Sequence, residues 1–114
     1  MNMKKTLSIT KNGLFRRLYS KGKSAAYFDM VVYTMKNGAG QNRLGITAST
    51  KIGCAVVRNR IRRRIREAYR SIEDNVLPGV NIVVVARSSI KDRPMPLVRD
   101  SLRKLLKKVD VWVD

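Results

Sequence analysis

Twenty residues of the chain, KIGCAVVRNRIRRRIREAYR from Lys51 to Arg70, hold eight basic side chains against one acid, Glu67, and seven of the eight are arginine. Guanidinium forks grip phosphate oxygens through paired hydrogen bonds and stack on bases, which an ammonium cannot do. The chemistry written here is recognition of a polyphosphate. A charge run on a helix is ordinarily a solvated face, but such faces mix signs in i,i+4 Glu/Lys pairs. Arg58, Arg62 and Arg66 instead repeat at i+4 with like charge, each pair disfavouring the free helix by about 0.2–0.5 kcal/mol. A partner that supplies the counter-charge resolves the conflict. A membrane-surface or calmodulin-target helix is a competing use of basic residues, and it needs bulky Trp, Phe or Leu on its apolar side. The seam of this segment is built from Val, Ile and Ala.

The remaining composition narrows the chemistry. The chain has 114 residues, a formal net charge of +17 at pH 7 and no histidine. Self-repulsion of that size favours a polyanionic partner, while a hydrophobic share of 44% supports a core rather than a disordered tail. The length fits one domain, residues 1–114. With no His and a single Cys, Cys54, the chain can build no Ser-His-Asp or Cys-His pair, no Cys/His zinc cluster and no internal disulfide. Its eight acids are Asp29, Glu67, Glu73, Asp74, Asp92, Asp100, Asp110 and Asp114. None forms the spaced acidic cluster of a two-metal nuclease, and no side chain is a general acid/base at its usual pKa. Reaction chemistry, if any, comes from the partner. The lone thiol suits a reducing cytoplasm. The longest apolar run, Ile82 to Ala86, is far below the roughly 20 residues of a membrane span. Basic Met1 to Lys5 is followed by TLSITKNGLF rather than the continuous apolar stretch of a secretory signal. A cytoplasmic protein with no membrane partner is expected.

These side chains need elements to hold them. With Ile61 at zero on a helix wheel, Val57, Ile65, Ala68 and Ile72 fall within about 40° of it, a narrow seam facing the core. Asn59, Arg63, Arg66 and Arg70 lie opposite, between roughly 140° and 200°. Arg58 and Arg62 flank them on one side, Arg60 and Arg64 on the other, nearer the seam. The helix runs from Ala55 to about Asn75, stopped by Leu77-Pro78-Gly79. An earlier helix of three turns is bracketed by Thr10 as N-cap and Gly22, with Leu14/Leu18 and Phe15/Tyr19 as adjacent i,i+4 stripes. Two strands, about Tyr27 to Met35 and Arg43 to Ser49, read as a hairpin across a Gly/Asn-rich loop. In the first, Phe28, Met30 and Val32 share one face, and Tyr27, Asp29, Val31 and Tyr33 the other. The β-branched run at Ile82–Ala86 marks a central strand covered on both faces. A last helix starts near Pro94 and Pro96 and repeats Val98, Leu102, Leu105 and Val109 on its core side. The order α-β-β-α-β-α predicts an α+β fold with three helices on a small sheet.

The Lys51–Arg70 string resembles the Arg-Asn-Arg signature of the protein subunit of bacterial ribonuclease P. The likeness combines the Lys-Ile-Gly lead-in, Ala55-Val56, the triplet Arg58-Asn59-Arg60 and the sequel Ile65-Arg66-Glu67-Ala68. It extends to Phe15 and Tyr19, Gly22-Lys23, Val32-Tyr33-Thr34, Arg43-Leu44-Gly45, Ile82-Val83 and Ala86-Arg87, all in the family's order. Leu14 departs from it, standing where the family often has an acid, and Cys54 occupies a variable slot.

The resemblance implies a subunit of a ribonucleoprotein that removes the 5′ leader of precursor tRNA by hydrolysing one phosphodiester bond. Catalyst and working Mg²⁺ belong to its RNA, and no cofactor is expected on the protein. Lys51, Arg58, Asn59, Arg60, Arg62, Arg63, Arg64, Arg66 and Arg70 would face the catalytic RNA, with Arg64 able to snorkel beside the seam. Phe15, Tyr19 and Tyr33 would line a cleft for the single-stranded leader; Tyr69 would serve packing. The implied fold is that of the second domain of a small-subunit ribosomal protein, with a left-handed crossover against the right-handed rule. The rival is a ribosomal protein that buries its basic helix in rRNA without any leader cleft. A DNA-binding helix-turn-helix lacks its partner helix before Ala55, and no DNA partner is expected.

Overall fold

A computed structural model describes residues 6–114; the basic stretch 1–5 lies outside them. The elements are β1 (Thr6–Ser8), α1 (Asn12–Lys21), β2 (Lys23–Ala26), β3 (Met30–Lys36), β4 (Asn42–Thr47), α2 (Ala55–Ile72), β5 (Val80–Ala86) and α3 (Met95–Lys108). Short 3₁₀ turns at Glu73–Asn75 and Ser88–Ile90 follow α2 and β5. The three helices and three longer strands keep the expected order. Two short strands join them, β1 and β2, whose sequences TLS and KSAA are too brief to show a period of two.

The five strands lie in the order β1-β4-β5-β3-β2. β5 therefore separates the two strands that the sequence pairs as a hairpin: it runs antiparallel to β3 and parallel to β4. The reason lies in β5 itself. Val80, Ile82, Val84 and Ala86 point into the main core and Val83 and Val85 into a second one, so only a central position covers both faces of this strand and satisfies both its edges. The β3–β4 connection must then span two strand spacings, roughly 10 Å. Asn37 organises it: Oδ1 accepts from the Ala39 N–H at 2.7 Å, and Nδ2 donates to Gln41 O and Asn81 Oδ1, each at 3.0 Å.

Helices cover both sides of the sheet. On one side α2 and α3 pack on each other and on the sheet, burying Ile61, Ile65, Ala68, Tyr69, Ile72, Val98, Leu102, Leu105 and Leu106 against Met30, Val32, Leu44, Ile82 and Val84. The expected seam of α2 is this buried stripe. On the other side α1 seats fully buried Leu18 against Ile9 and Val83, with Leu14, Phe15, Tyr33, Met35 and Val85 half-buried around them. α1 begins one residue later than its sequence suggests. Lys11, not Thr10, is the N-cap, and no side chain caps the helix.

Tyr69 is completely buried, its hydroxyl 2.9 Å from Thr6 Oγ1, and so ties α2 to β1. Burial pushes its pKa up, against hydrogen bonds with Thr6 and Asn42 that pull it down. A raised folded-state pKa gives stability that is complete below the unfolded value, about 10, and lost as pH climbs past it toward the folded value. Thermal melts between pH 9 and 11.5 should therefore show a loss of stability that Tyr69→Phe reduces, while at pH 7 that substitution costs about 1 kcal/mol. Equal alkaline slopes for the two proteins would place the titrating group elsewhere.

Candidate RNA interface

α2 presents its basic residues in layers set by the wheel. Asn59, Arg60, Arg63 and Arg70 are exposed, and Arg58, Arg62, Arg64 and Arg66 half-buried. Lys51 is exposed in the turn that enters the helix. Arg63, Arg66, Glu67 and Arg70 line a hollow of about 130 Å³.

Some of these side chains are already engaged within the protein. Arg62 donates from Nη1 to Asn59 Oδ1 at 3.0 Å and from Nη2 to the Ala48 carbonyl at 3.5 Å. The Asn of the Arg-Asn-Arg triplet thus holds Arg62 over the exit of β4. Arg64 donates from Nη1 to the carbonyls of Ile90 and Lys91, both at 3.2 Å. Half-buried beside the seam, it spends its guanidinium on these carbonyls instead of carrying it outward to water as snorkelling would. Arg58 differs: its Nε is buried and meets no acceptor among the described residues. A buried donor left unmade costs about 1–3 kcal/mol, which an incoming acceptor would relieve.

The aromatic residues converge from two elements. Phe15 and Tyr19, one turn apart on α1, have ring centroids 6.5 Å apart, and Tyr19 stands edge-on to Tyr33 of β3 at 5.0 Å and 74°. Tyr33 pairs across strands with Val83 of β5 and Ser24 of β2, which places it on the α1 side. Register puts Val31, Val85 and Thr47 on that side too, all half-buried. Tyr19 keeps 41% of its surface exposed. The result is a strip of aromatic and aliphatic surface open to solvent along one flank of α1. Gly45 makes it possible: a Cβ there would sit 2.6 Å from Phe15 Cε1, so any side chain displaces the ring.

Two groups escaped the sequence reading. Lys11, Arg16, Arg17 and Arg43 line a groove of about 640 Å³ with Gly13, Leu14 and Ser20; the N-terminal helix and β4 carry them, and charge density alone, lower than in α2, did not single them out. Tyr27 and Phe28 were expected as strand residues. The strand starts later, at Met30, and Phe28 is 48% exposed while Asp29 is fully buried, so the face assignment fails for the residues before Met30.

No three His, Cys, Asp or Glu side chains gather to hold a metal among the described residues, and no helix among them is long and apolar enough to cross a membrane. A five-stranded α+β scaffold with one arginine-covered helix and a separate open aromatic strip belongs to the class of basic RNA-binding proteins. The comparisons refine that class. The Ribonuclease P family model matches residues 3–110. The ribonuclease P protein component of Clostridioides difficile (strain 630) is 40% identical over 114 residues, 99% of this chain and 100% of the relative. That of Thermoanaerobacter sp. (strain X514) is 38% identical over 109 residues, 96% and 94% of the two. Among solved structures, a Staphylococcus aureus RNase P protein superimposes with a TM-score of 0.83 at 40% identity, covering 92% of this chain and 96% of that one. RNase P protein from Thermotoga maritima gives 0.78 at 33% identity, covering 84% and 91%. The chain belongs to the ribonuclease P protein component family.

Proposed function

We propose that the whole chain, residues 1–114, works as one RNA-binding domain of the ribonuclease P ribonucleoprotein, with two surfaces of distinct duty. α2, entered through Lys51, docks the catalytic RNA through Arg58, Asn59, Arg60, Arg62, Arg63, Arg66 and Arg70, and Arg64 supports that surface from behind. The strip formed by Phe15, Tyr19 and Tyr33 holds the single-stranded 5′ leader of precursor tRNA. Stacking suits that task, because every base offers a π-face and each is worth about 1–3 kcal/mol without reading sequence. The protein acts on the reaction by orienting the substrate. Mg²⁺ serves the RNA subunit, where it supplies the Lewis-acid chemistry of phosphodiester hydrolysis. The exposed lone thiol of Cys54 suits a reducing cytoplasm.

The observation that carries this reading is the aromatic strip, in which Tyr19 meets Tyr33 at 5.0 Å while staying 41% exposed. A protein that only buries its basic helix in rRNA has no use for it.

Adding the chain to a bacterial ribonuclease P RNA at low Mg²⁺ should restore release of the leader. In the same system, neutralising Arg63 and Arg66 together with glutamine should reduce the slope of log K against log salt by about 1–2, since each phosphate contact contributes roughly 0.7–0.9. Absence of stimulation refutes the subunit role; an unchanged slope removes these two arginines from the RNA interface.

A further inference from the structure

Where β2 turns into β3, two aromatic rings stand outside the core. Tyr27 is 36% and Phe28 48% exposed, and their centroids lie 4.8 Å apart. Each carries a cation. The guanidinium carbon of Arg93 is 4.5 Å from the Phe28 centroid, and Lys104 Nζ is 5.6 Å from that of Tyr27. Beneath them a set of polar contacts ties the turn to β5 and α3. Asp29 is fully buried; its Oδ2 accepts from the Ser101 hydroxyl at 2.9 Å and lies 2.9 Å from Arg93 Nε. The Arg87 N–H donates to the Asp29 carbonyl at 3.0 Å, and the Ser89 hydroxyl donates to the Phe28 carbonyl. A buried carboxylate thus fixes the guanidinium that accompanies the exposed ring.

We propose that Tyr27 and Phe28, with Arg93 fixed behind Phe28 by Asp29, form together with Lys104 a second RNA platform, on which an unpaired nucleotide of the catalytic RNA stacks while its phosphate meets Lys104. The inference rests on reading α2 as the helix that docks this RNA. Solvent-exposed aromatic rings accompanied by Arg and Lys suit single-stranded nucleic acid, and the +17 chain is complementary to a polyanion. Continuity assigns the strand. From α2, Arg64 reaches the carbonyls of Ile90 and Lys91, and Ser89 of the same turn reaches Phe28. One surface therefore runs from the arginines of α2 across Ser88–Lys91 to the platform. α3, which carries Lys104, packs against α2 and the sheet face that α2 covers, whereas Phe15 and Tyr33 lie on the α1 face. The leader is accordingly not the occupant.

The test measures binding of full-length Phe28→Leu, Phe28→Ala and Phe28→Trp proteins to ribonuclease P RNA at fixed salt, with melting temperature as the control for folding. Loss of one stacked base predicts a weakening of roughly 5- to 150-fold for Leu and Ala. Trp retains binding, and the preference of the holoenzyme for precursor over mature tRNA does not move. Lys104→Gln lowers the salt slope by about 1. Leu fills the same apolar space, so a ring that merely packs would leave Phe28→Leu binding as the wild type does, and that result overturns the platform alone. A loss confined to precursor tRNA gives the rings to the leader and also overturns it. Failure of the unmodified chain to bind this RNA would refute the reading of α2 and the platform together.

Discussion

Replacing Phe15, Tyr19 and Tyr33 together by leucine should weaken binding of precursor tRNA to the holoenzyme by roughly 30-fold or more and leave mature tRNA binding unaltered. The size follows from about 1–3 kcal/mol for each stacked base, with neighbouring rings sharing part of the effect. The selectivity follows from geometry. The three rings occupy the α1 side of the sheet, Tyr19 lying 6.5 Å from Phe15 and 5.0 Å from Tyr33, and only the precursor carries a 5′ leader to lay across them. Leucine keeps the half-buried positions of Phe15 and Tyr33 apolar, so the scaffold around Leu18 and Val83 survives. Equal losses for precursor and mature tRNA would take the leader off this strip and restore the claim of a purely structural RNA-binding protein. Tyr19→Leu alone should give a large part of the effect, since it is the most exposed of the three rings.

A large loss of stability from one side chain is expected at Arg93. Its Nε lies 2.9 Å from Asp29 Oδ2, off the line of a hydrogen bond, so charge rather than hydrogen bonding joins them. The Asp29 side chain is fully buried and its Oδ1 has no donor among the described residues. Arg93→Ala removes the counter-charge and leaves a carboxylate in the interior, which costs about 3–5 kcal/mol. Removing both charges behaves differently: Asp29→Leu with Arg93→Met should recover most of the loss, because the desolvation penalty disappears with the pair. Urea unfolding at neutral pH reads both, as a shift of the midpoint at constant m-value. A cost below about 1 kcal/mol for Arg93→Ala would mean that water reaches Asp29 in the folded protein.

Much of this molecule is legible without coordinates, and for one reason. Burial repeats with the period of the element that carries it, so a residue's place on a helix or strand face is written locally. The seam Val57-Ile61-Ile65-Ala68-Ile72 lies against the sheet, buried from Ile61 onward. The cationic side of α2 and the central, doubly covered place of Ile82–Ala86 are local in the same sense. Family membership follows from the Lys51–Arg70 string and its outlying matches, and the comparisons over residues 3–110 agree.

Strand order, by contrast, depends on which pairing satisfies both edges of β5, a competition among segments far apart in the chain, and it replaced the expected hairpin with a β3–β5–β4 arrangement. The same long-range packing put α1 on the face opposite α2, carrying Phe15 and Tyr19 onto Tyr33. Side-chain direction at the margins was also undecided by period. Arg64 turns inward to the carbonyls of Ile90 and Lys91 because that turn, set by the end of β5, lies within its reach. Asp29 is buried because Arg93 and Ser101, more than sixty residues later in the chain, meet it there. Sequence determined what each face could bind, since charge and hydrophobicity belong to residues; tertiary structure decided which faces exist side by side, since that is settled by contacts no local pattern encodes.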